Sequence, residues 1–314
     1  MELKFIQGEN QLEDRTVLVT GASGFIGSNV SSLLRKKGYN VLTTDIVGNV
    51  DLKTDIRNLH TEIPNLSNLH SVVHLAAKIS VPESFVKPEL YHDVNVVSTR
   101  RIFESCVESS VPRIVFASSA AVYGDVEGGL MRIGSENTPA SPYAENKKIA
   151  EEMAEELSSE STKITCLRFF NVYGPGQLHS SPYASAIPLF IEKLFRKEAI
   201  TIYGDGEQTR DFIHVNDVSN AIIDSYDFDL PPFSKYNLGN GKPVSVNYLV
   251  ELLRHIFSDF GYETEEPIYS SPREGDILHS VADMATNAPF YYQTDKTEIS
   301  MGLRDLIKRT LSEN

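Results

Sequence analysis

The 314-residue chain contains no tryptophan and only two cysteines. Two thiols cannot make the disulfide framework of a small secreted domain, so an apolar core must hold this fold. Cys106 sits in a helical pattern and Cys166 in the strand-like Ile164-Thr165-Cys166-Leu167; both read as small buried residues. No apolar run reaches the roughly 18 residues that a membrane-crossing helix needs. The opening residues Met1 to Asn10 carry no basic stretch followed by an apolar one, so no secretory signal is expected and the cytoplasm is the expected compartment. The eight histidines are scattered without any Cys-containing metal spacing, and no metal is expected. Positive charge is scarce as well. Lys and Arg total 29 against 43 Asp and Glu, a net charge of −14, and no basic run exceeds Arg35-Lys36-Lys37. Such a chain repels nucleic acid and anionic membranes, and neither is expected as a partner. An anionic substrate would have to be held by a few placed arginines.

What is present is the alternation of strands and helices. Thr16-Val17-Leu18-Val19-Thr20 is a β-branched run that predicts a buried strand, followed by a glycine turn and a helical pattern from Phe25 to Lys37. Further strands are predicted at Val41 to Asp45, Ser71 to Leu75, Arg113 to Ser118 and Lys163 to Phe169. Long helices are predicted at about Glu89 to Ser109 and at Pro142 to Leu157. This order predicts an α/β fold with a doubly wound, Rossmann-type parallel sheet covered on both faces. After Asn171 the texture turns to short helices, strands and proline-containing loops. A dinucleotide-binding core over 1–172 and a smaller substrate-binding lobe over 173–314 are therefore expected, with some later segments returning to the core. No internal repeat or low-complexity segment interrupts this order.

Two groups of residues carry chemistry. Gly21-Ala22-Ser23-Gly24-Phe25-Ile26-Gly27 lies between a predicted strand and a predicted helix. Glycines there allow the tight turn, the approach of backbone N–H groups to a pyrophosphate, and close helix–sheet packing. Asp45 ends the second strand, 18 residues after Gly27. A carboxylate at that place accepts hydrogen bonds from ribose hydroxyls and repels a 2′-phosphate, which favours NAD over NADP. Asp55 and Ile56 follow another strand and are candidates to meet the adenine. The second group is Tyr143 and Lys147, four apart and so on one helix face. A free phenol, with a pKa near 10, is a poor base at neutral pH, and a nearby ammonium stabilises its phenolate. Ser119 ends a predicted strand 24 residues upstream, where an open α/β sheet presents its ligand groups. Alone, each pattern is common by chance.

Together they resemble the extended short-chain dehydrogenase/reductase family. The glycine turn, His74-Leu75-Ala76-Ala77, Asn95, the Ser119/Tyr143/Lys147 set and Arg168-Phe169-Phe170-Asn171-Val172-Tyr173-Gly174-Pro175 fall in that family's order and spacing over nearly the whole chain. The resemblance implies Ser119, Tyr143 and Lys147 as catalytic residues. It implies Leu75, Ala76, Ala77, Asn95, Tyr143 and Lys147 as further NAD contacts beside Phe25 and Ile26. It also implies Asn171, Arg210 and Arg273 as groups that hold a UDP-sugar, and a homodimer joined through helices near 91–109 and 142–157. Family dehydratases carry an acidic residue just after the catalytic hydroxyl, where this chain has Ala120 and Ala121. That favours 4-epimerisation through a 4-keto sugar. Seven residues after Arg273, where epimerases that reject acetylated sugars have tyrosine, stands Ser280. The stretch from Arg273 to Asp283 is thus similar to that of UDP-N-acetylglucosamine 4-epimerases, with UDP-glucose also permitted. The alternatives are a UDP-uronate 4-epimerase, another nucleotide-sugar oxidoreductase or decarboxylase, and a non-catalytic dinucleotide-binding sensor or structural protein. The last is usually marked by a broken Ser/Tyr/Lys set, and here the set is intact. One departure concerns the end of the chain. Asn287-Ala288-Pro289-Phe290-Tyr291-Tyr292 replaces the family's Leu-Gly-aromatic-x-Pro turn, which leaves the packing of the last helix open.

Overall fold

Strand β1 (Thr16–Thr20) forms where the sequence is richest in β-branched residues, and its Val17, Leu18 and Val19 are fully buried. The computed structural model describes residues 15–63, 65–177, 185–272, 277–293 and 295–313. After β1 come α1 (Phe25–Lys36), β2 (Asn40–Asp45), β3 (Leu52–Lys53), α2 (Leu59–Glu62) and β4 (Leu69–His74). Helices α3 (Val81–Val86), α4 (Pro88–His92) and α5 (Ser98–Glu108) lead to β5 (Arg113–Ser119), β6 (Leu130–Met131), α6 (Pro142–Leu157) and β7 (Lys163–Phe169). Next are β8 (Asn171–Tyr173), α7 (Ala186–Phe195), β9 (Thr201–Tyr203), β10 (Thr209–His214), α8 (Val215–Asp224) and β11 (Phe233–Leu238). The chain ends with β12 (Pro243–Ser245), α9 (Val246–Asp259), β13 (Ile268–Ser270), β14 (His279–Ala282) and α10 (Ile299–Glu313).

The main sheet is parallel throughout, in the order β11-β7-β5-β4-β1-β2-β3. Sequence order runs one way from β1 and the other way from β4, so a crevice opens between their carboxyl ends. One face is covered by α1, α8 and the segment around Ala288, Phe290 and Tyr291. The opposite face is covered by α5 and α6 through Ile102, Phe103, Ala150 and Met153. This is the doubly wound α/β architecture that the alternation predicts. Strand β11 and helix α8 are the late segments that join this core.

A second sheet, β12-β10-β14-β6 with β8 beside β10, stands over the crevice and packs on α7, α9 and α10. The divergent Asn287–Tyr291 stretch plugs the main sheet. The Asn287 side chain exchanges hydrogen bonds with both backbone groups of Gly239, while Ala288 and Phe290 are wholly buried.

The long helix predicted at Glu89–Ser109 runs without a break from Pro88 to Glu108, α4 passing into α5 through a π-helical turn at Asp93–Val97. The extra residue of a π-turn re-aims the side chains around it, and here it carries Asn95.

Candidate active site

The first wall is the turn after β1. Gly21 has φ +70°, and a Cβ there would lie 2.8 Å from the Ala76 amide nitrogen, so the turns after β1 and β4 touch backbone to backbone. A Cβ on Gly27 would fall 2.1 Å from the Gly21 carbonyl oxygen, which is why α1 can begin directly against the turn. Gly24 caps α1 without a side chain and leaves the first-turn N–H groups facing the crevice. Asp45, at the end of β2, accepts from the backbone N–H of Ser23 at 3.0 Å and of Ile46 at 2.7 Å. Its carboxylate is thereby aimed before any ligand arrives.

The turn after β4 is built by a buried relay. His74 meets the Thr20 hydroxyl at 2.8 Å and Thr99 at 3.0 Å, and the Thr20 oxygen accepts from the Leu75 and Ala76 amides, each at 3.2 Å. Burial, with the Lys147 ammonium adding to it, pushes the His74 imidazole down to about 3, so it is a neutral bracket.

These walls and the second sheet enclose a cleft of about 940 Å³. Its lining includes Gly21, Gly24, Phe25, Ile26, Gly27 and Asp45 at one end, with Asp55 and Ile56 nearby. Leu75, Ala76 and Ala77 line its floor. Ser119, Tyr143 and Lys147 meet at its centre, and Asn171, Arg210 and Ser280 form the far wall. Residues distant in sequence are thus gathered in one place.

One of the predicted residues is placed differently, and another is not among those described. Asn95 does not reach the cleft: its buried amide accepts from the Lys78 N–H and donates to the Lys78 carbonyl, both at 2.8 Å. It stands one layer behind, pinning the wall that Lys78 and Ile79 form. Arg273 lies outside the described residues. Asp55 does line the cleft, but its carboxylate already receives Arg57 through two nitrogens at 3.0 and 2.8 Å. Sequence reasoning missed Lys78, Phe170 and Met131, which also line the cleft. Met131 could not have been found locally, since only the pairing of β6 with β14 brings it there.

At the centre, Tyr143 is buried near the start of α6, whose N-cap Ser141 accepts from the Ala144 N–H at 3.1 Å with Pro142 in the first turn. Burial pushes the Tyr143 phenol above its ordinary 10, and the adjacent Ser119 hydroxyl offsets part of that by hydrogen bonding. One turn on, Lys147 donates to the Ala117 carbonyl at 2.6 Å and lies 4.7 Å from the Phe116 ring centroid. Burial lowers its ammonium to about 8, against the opposing pull of Cys166 and Glu151. A buried phenol with a neighbouring hydroxyl and a buried cation can accept a proton from an alcohol in the cleft. Nothing acidic follows Ser119, because Ala120 and Ala121 form the rest of that wall. On the far wall, Arg210 donates to the Thr209 carbonyl at 2.9 Å, and Ser280 packs its hydroxyl 3.4 Å from the Met131 sulfur. Among the described residues no group of three or more His, Cys, Asp or Glu is placed to hold a metal, and no helix is long and apolar enough to cross a membrane.

The glycine turn and the aimed Asp45 carboxylate fit a dinucleotide with free ribose hydroxyls. Comparison with known proteins agrees. The chain matches the family model described as NAD dependent epimerase/dehydratase family over residues 17–239. A UDP-glucose 4-epimerase of Halalkalibacterium halodurans is 31% identical over 267 residues, or 76% of this chain and 80% of that protein. The solved structure of UDP-N-acetylglucosamine 4-epimerase from Methanobrevibacter ruminantium, in complex with UDP-N-acetylmuramic acid, matches with a TM-score of 0.86 at 31% identity. That match covers 96% of this chain and 99% of the other. MoeE5 in complex with UDP-glucuronic acid and NAD matches with a TM-score of 0.85 at 34% identity, over 95% of this chain and all of that one (100%).

Proposed function

The chain belongs to the NAD-dependent epimerase/dehydratase family, and we propose that it epimerises a UDP-hexose at carbon 4 through a 4-keto sugar. The substrates we assign are UDP-N-acetylglucosamine and UDP-N-acetylgalactosamine, with UDP-glucose and UDP-galactose also admitted. The observation that carries this reading is the meeting of Ser119, Tyr143 and Lys147 in a cleft whose adjoining residues, Ala120 and Ala121, offer no second acid or base for elimination.

The glycine turn, Asp45 and the Leu75–Ala77 floor would hold NAD. Held there, NAD would supply the acceptor, and then the donor, for the hydride at carbon 4. Tyr143 takes the proton of the 4-hydroxyl and later gives it back, and Ser119 shares a hydrogen bond with that oxygen. Lys147, desolvated beneath the phenol, favours the phenolate by its charge, which acts strongly in a low-dielectric layer. Arg210 holds the diphosphate while the sugar ring turns over, with Asn171 beside it and Arg273 assigned the same role.

Ser280 supports the acetylated sugar, because a small buried side chain leaves room on the wall it shares with Met131. Ser280→Tyr is expected to lower kcat/KM for UDP-N-acetylglucosamine by about 10–100-fold and to spare UDP-glucose. Parallel steady-state assays on the two sugars check this. Arg210→Ala is expected to raise KM by about 10–100-fold with little change in kcat, as a charge-assisted phosphate contact does when lost.

The direct test is proton NMR of purified protein incubated with UDP-N-acetylglucosamine and no added NAD. UDP-N-acetylgalactosamine should appear. Product from UDP-glucose or UDP-glucuronate alone would move the assignment to those sugars, the second in line with the MoeE5 complex. Stoichiometric consumption of added NADH would instead mark a reductase. We also assign a homodimer joined through the outer faces of α4, α5 and α6, to be checked by sedimentation.

A further inference from the structure

Behind the cleft lies a buried set of charges that the proposed reaction does not use. Glu151 stands two turns after Tyr143 and one turn after Lys147, so all three share one face of α6. Its carboxylate is only 4% exposed. Arg168, on β7 and 2% exposed, grips it at both oxygens, with Nε at 2.9 Å and Nη2 at 2.6 Å. The Ser118 hydroxyl, on β5, donates to it at 2.5 Å. Ser118 immediately precedes Ser119. One carboxylate therefore ties the helix that carries Tyr143 to the strand end that carries Ser119.

We propose that Glu151 is a positioning residue of the reaction: anchored by Arg168 and Ser118, it holds the Tyr143–Lys147 face of α6 against the Ser119 turn and balances the buried Lys147 ammonium. This rests on the assignment of Tyr143 and Lys147 under the proposed function. A buried ion pair adds little net stability over apolar packing, so stability alone does not account for this arrangement. The groups that face Lys147 define its electrostatics. They are the neutral His74 on β4, the Phe116 ring and Ala117 carbonyl on β5, the Cys166 thiol on β7, and Tyr143 and Glu151 on its own helix. Of these, Glu151 alone is a carboxylate. Arg168 is itself shared between Glu151 and the largely buried Glu136, so losing the Glu151 charge leaves Arg168 paired and uncovers Lys147.

The test compares Glu151→Gln, Glu151→Asp and Ser118→Ala in the intact protein. The Lys147 proton is followed by carbon-13 NMR of selectively labelled lysine, its signal identified by its loss in Lys147→Met. In Glu151→Gln the Lys147 titration and the alkaline limb of kcat should both move down by about one pH unit, with KM within about twofold of wild type. Glu151→Asp keeps the charge and should keep both positions. Ser118→Ala keeps all charges and should lower kcat about tenfold without moving the limb, and Ser118→Thr should restore it. An unmoved Lys147 titration in a folded Glu151→Gln protein overturns the proposal. Should that variant not fold, wild-type kcat in Ser118→Ala overturns it instead. A shifted titration in a protein that turns over no UDP-sugar would defeat the proposed function and leave the Glu151–Lys147 coupling standing.

Discussion

Tyr143→Phe is expected to lower kcat by about 10²–10⁴-fold while the protein stays folded and keeps its cofactor. Removing the phenolic oxygen deletes the group to which the proposed reaction assigns the taking and returning of the proton. The side chain is 9% exposed, and phenylalanine fills the same space, so the packing of α6 against β5 is retained. What is lost locally is the polar contact of the phenol with the adjacent Ser119 hydroxyl. Cofactor retention is expected to rest mainly on the glycine turn, Asp45 and the Leu75–Ala77 floor, which the substitution leaves unchanged. Measurements of kcat, bound NAD and Tm on one preparation separate these effects. Activity within tenfold of wild type would remove Tyr143 from the role of base. Loss of activity together with loss of NAD would point to a damaged fold and not to missing chemistry.

Those parts of the site built by local sequence could be read before the structure, and those built by distant pairing could not. The glycine turn, Asp45 and the Tyr143/Lys147 face each follow from a strand end, a helix start or a four-residue spacing. Helix α6 and strand β7 begin and end at the residues predicted for them, Pro142–Leu157 and Lys163–Phe169. Asn95 illustrates the limit. Its position suggests a cofactor contact, yet the π-helical turn that carries it directs the side chain to the Lys78 backbone. Met131 and Ser280 come together only because β6 and β14 pair across some 150 residues of chain, with Val281 opposite Leu130 and Ala282 opposite Met131. Glu151 lies between these cases. Its spacing from Tyr143 could be read from the sequence, but its partners Arg168 and Ser118 sit on two other strands.

Asp211→Ala is expected to cost roughly 3–5 kcal/mol of stability, the largest loss we anticipate from one side chain outside the catalytic centre. Asp211 is wholly buried on β10, and its carboxylate accepts three backbone N–H groups: Asn240 at 2.8 Å, Gly241 at 2.8 Å and Ala282 at 3.1 Å. Burial raises its pKa above the ordinary 3.8, and the three amides work against that by solvating the anion in place of water. Alanine would leave all three donors without an acceptor. These bonds join the loop after β11, which belongs to the main sheet, to β14 of the second sheet. They also hold β14 beside β10 in the register that sets Arg210 opposite Ser280. Loss of Asp211 should therefore loosen the wall that carries Arg210 and Ser280 while Ser119, Tyr143 and Lys147, on β5 and α6, keep their places. The expected signature is a Tm lower by roughly 5–10 °C, a raised KM and a kcat within a fewfold of wild type. Asp211→Asn keeps one acceptor but turns an NH₂ group toward an N–H, so it should lie between alanine and wild type in both Tm and KM. A kcat that collapses with KM unchanged would mean that the second sheet acts on the chemistry itself and does more than hold the substrate.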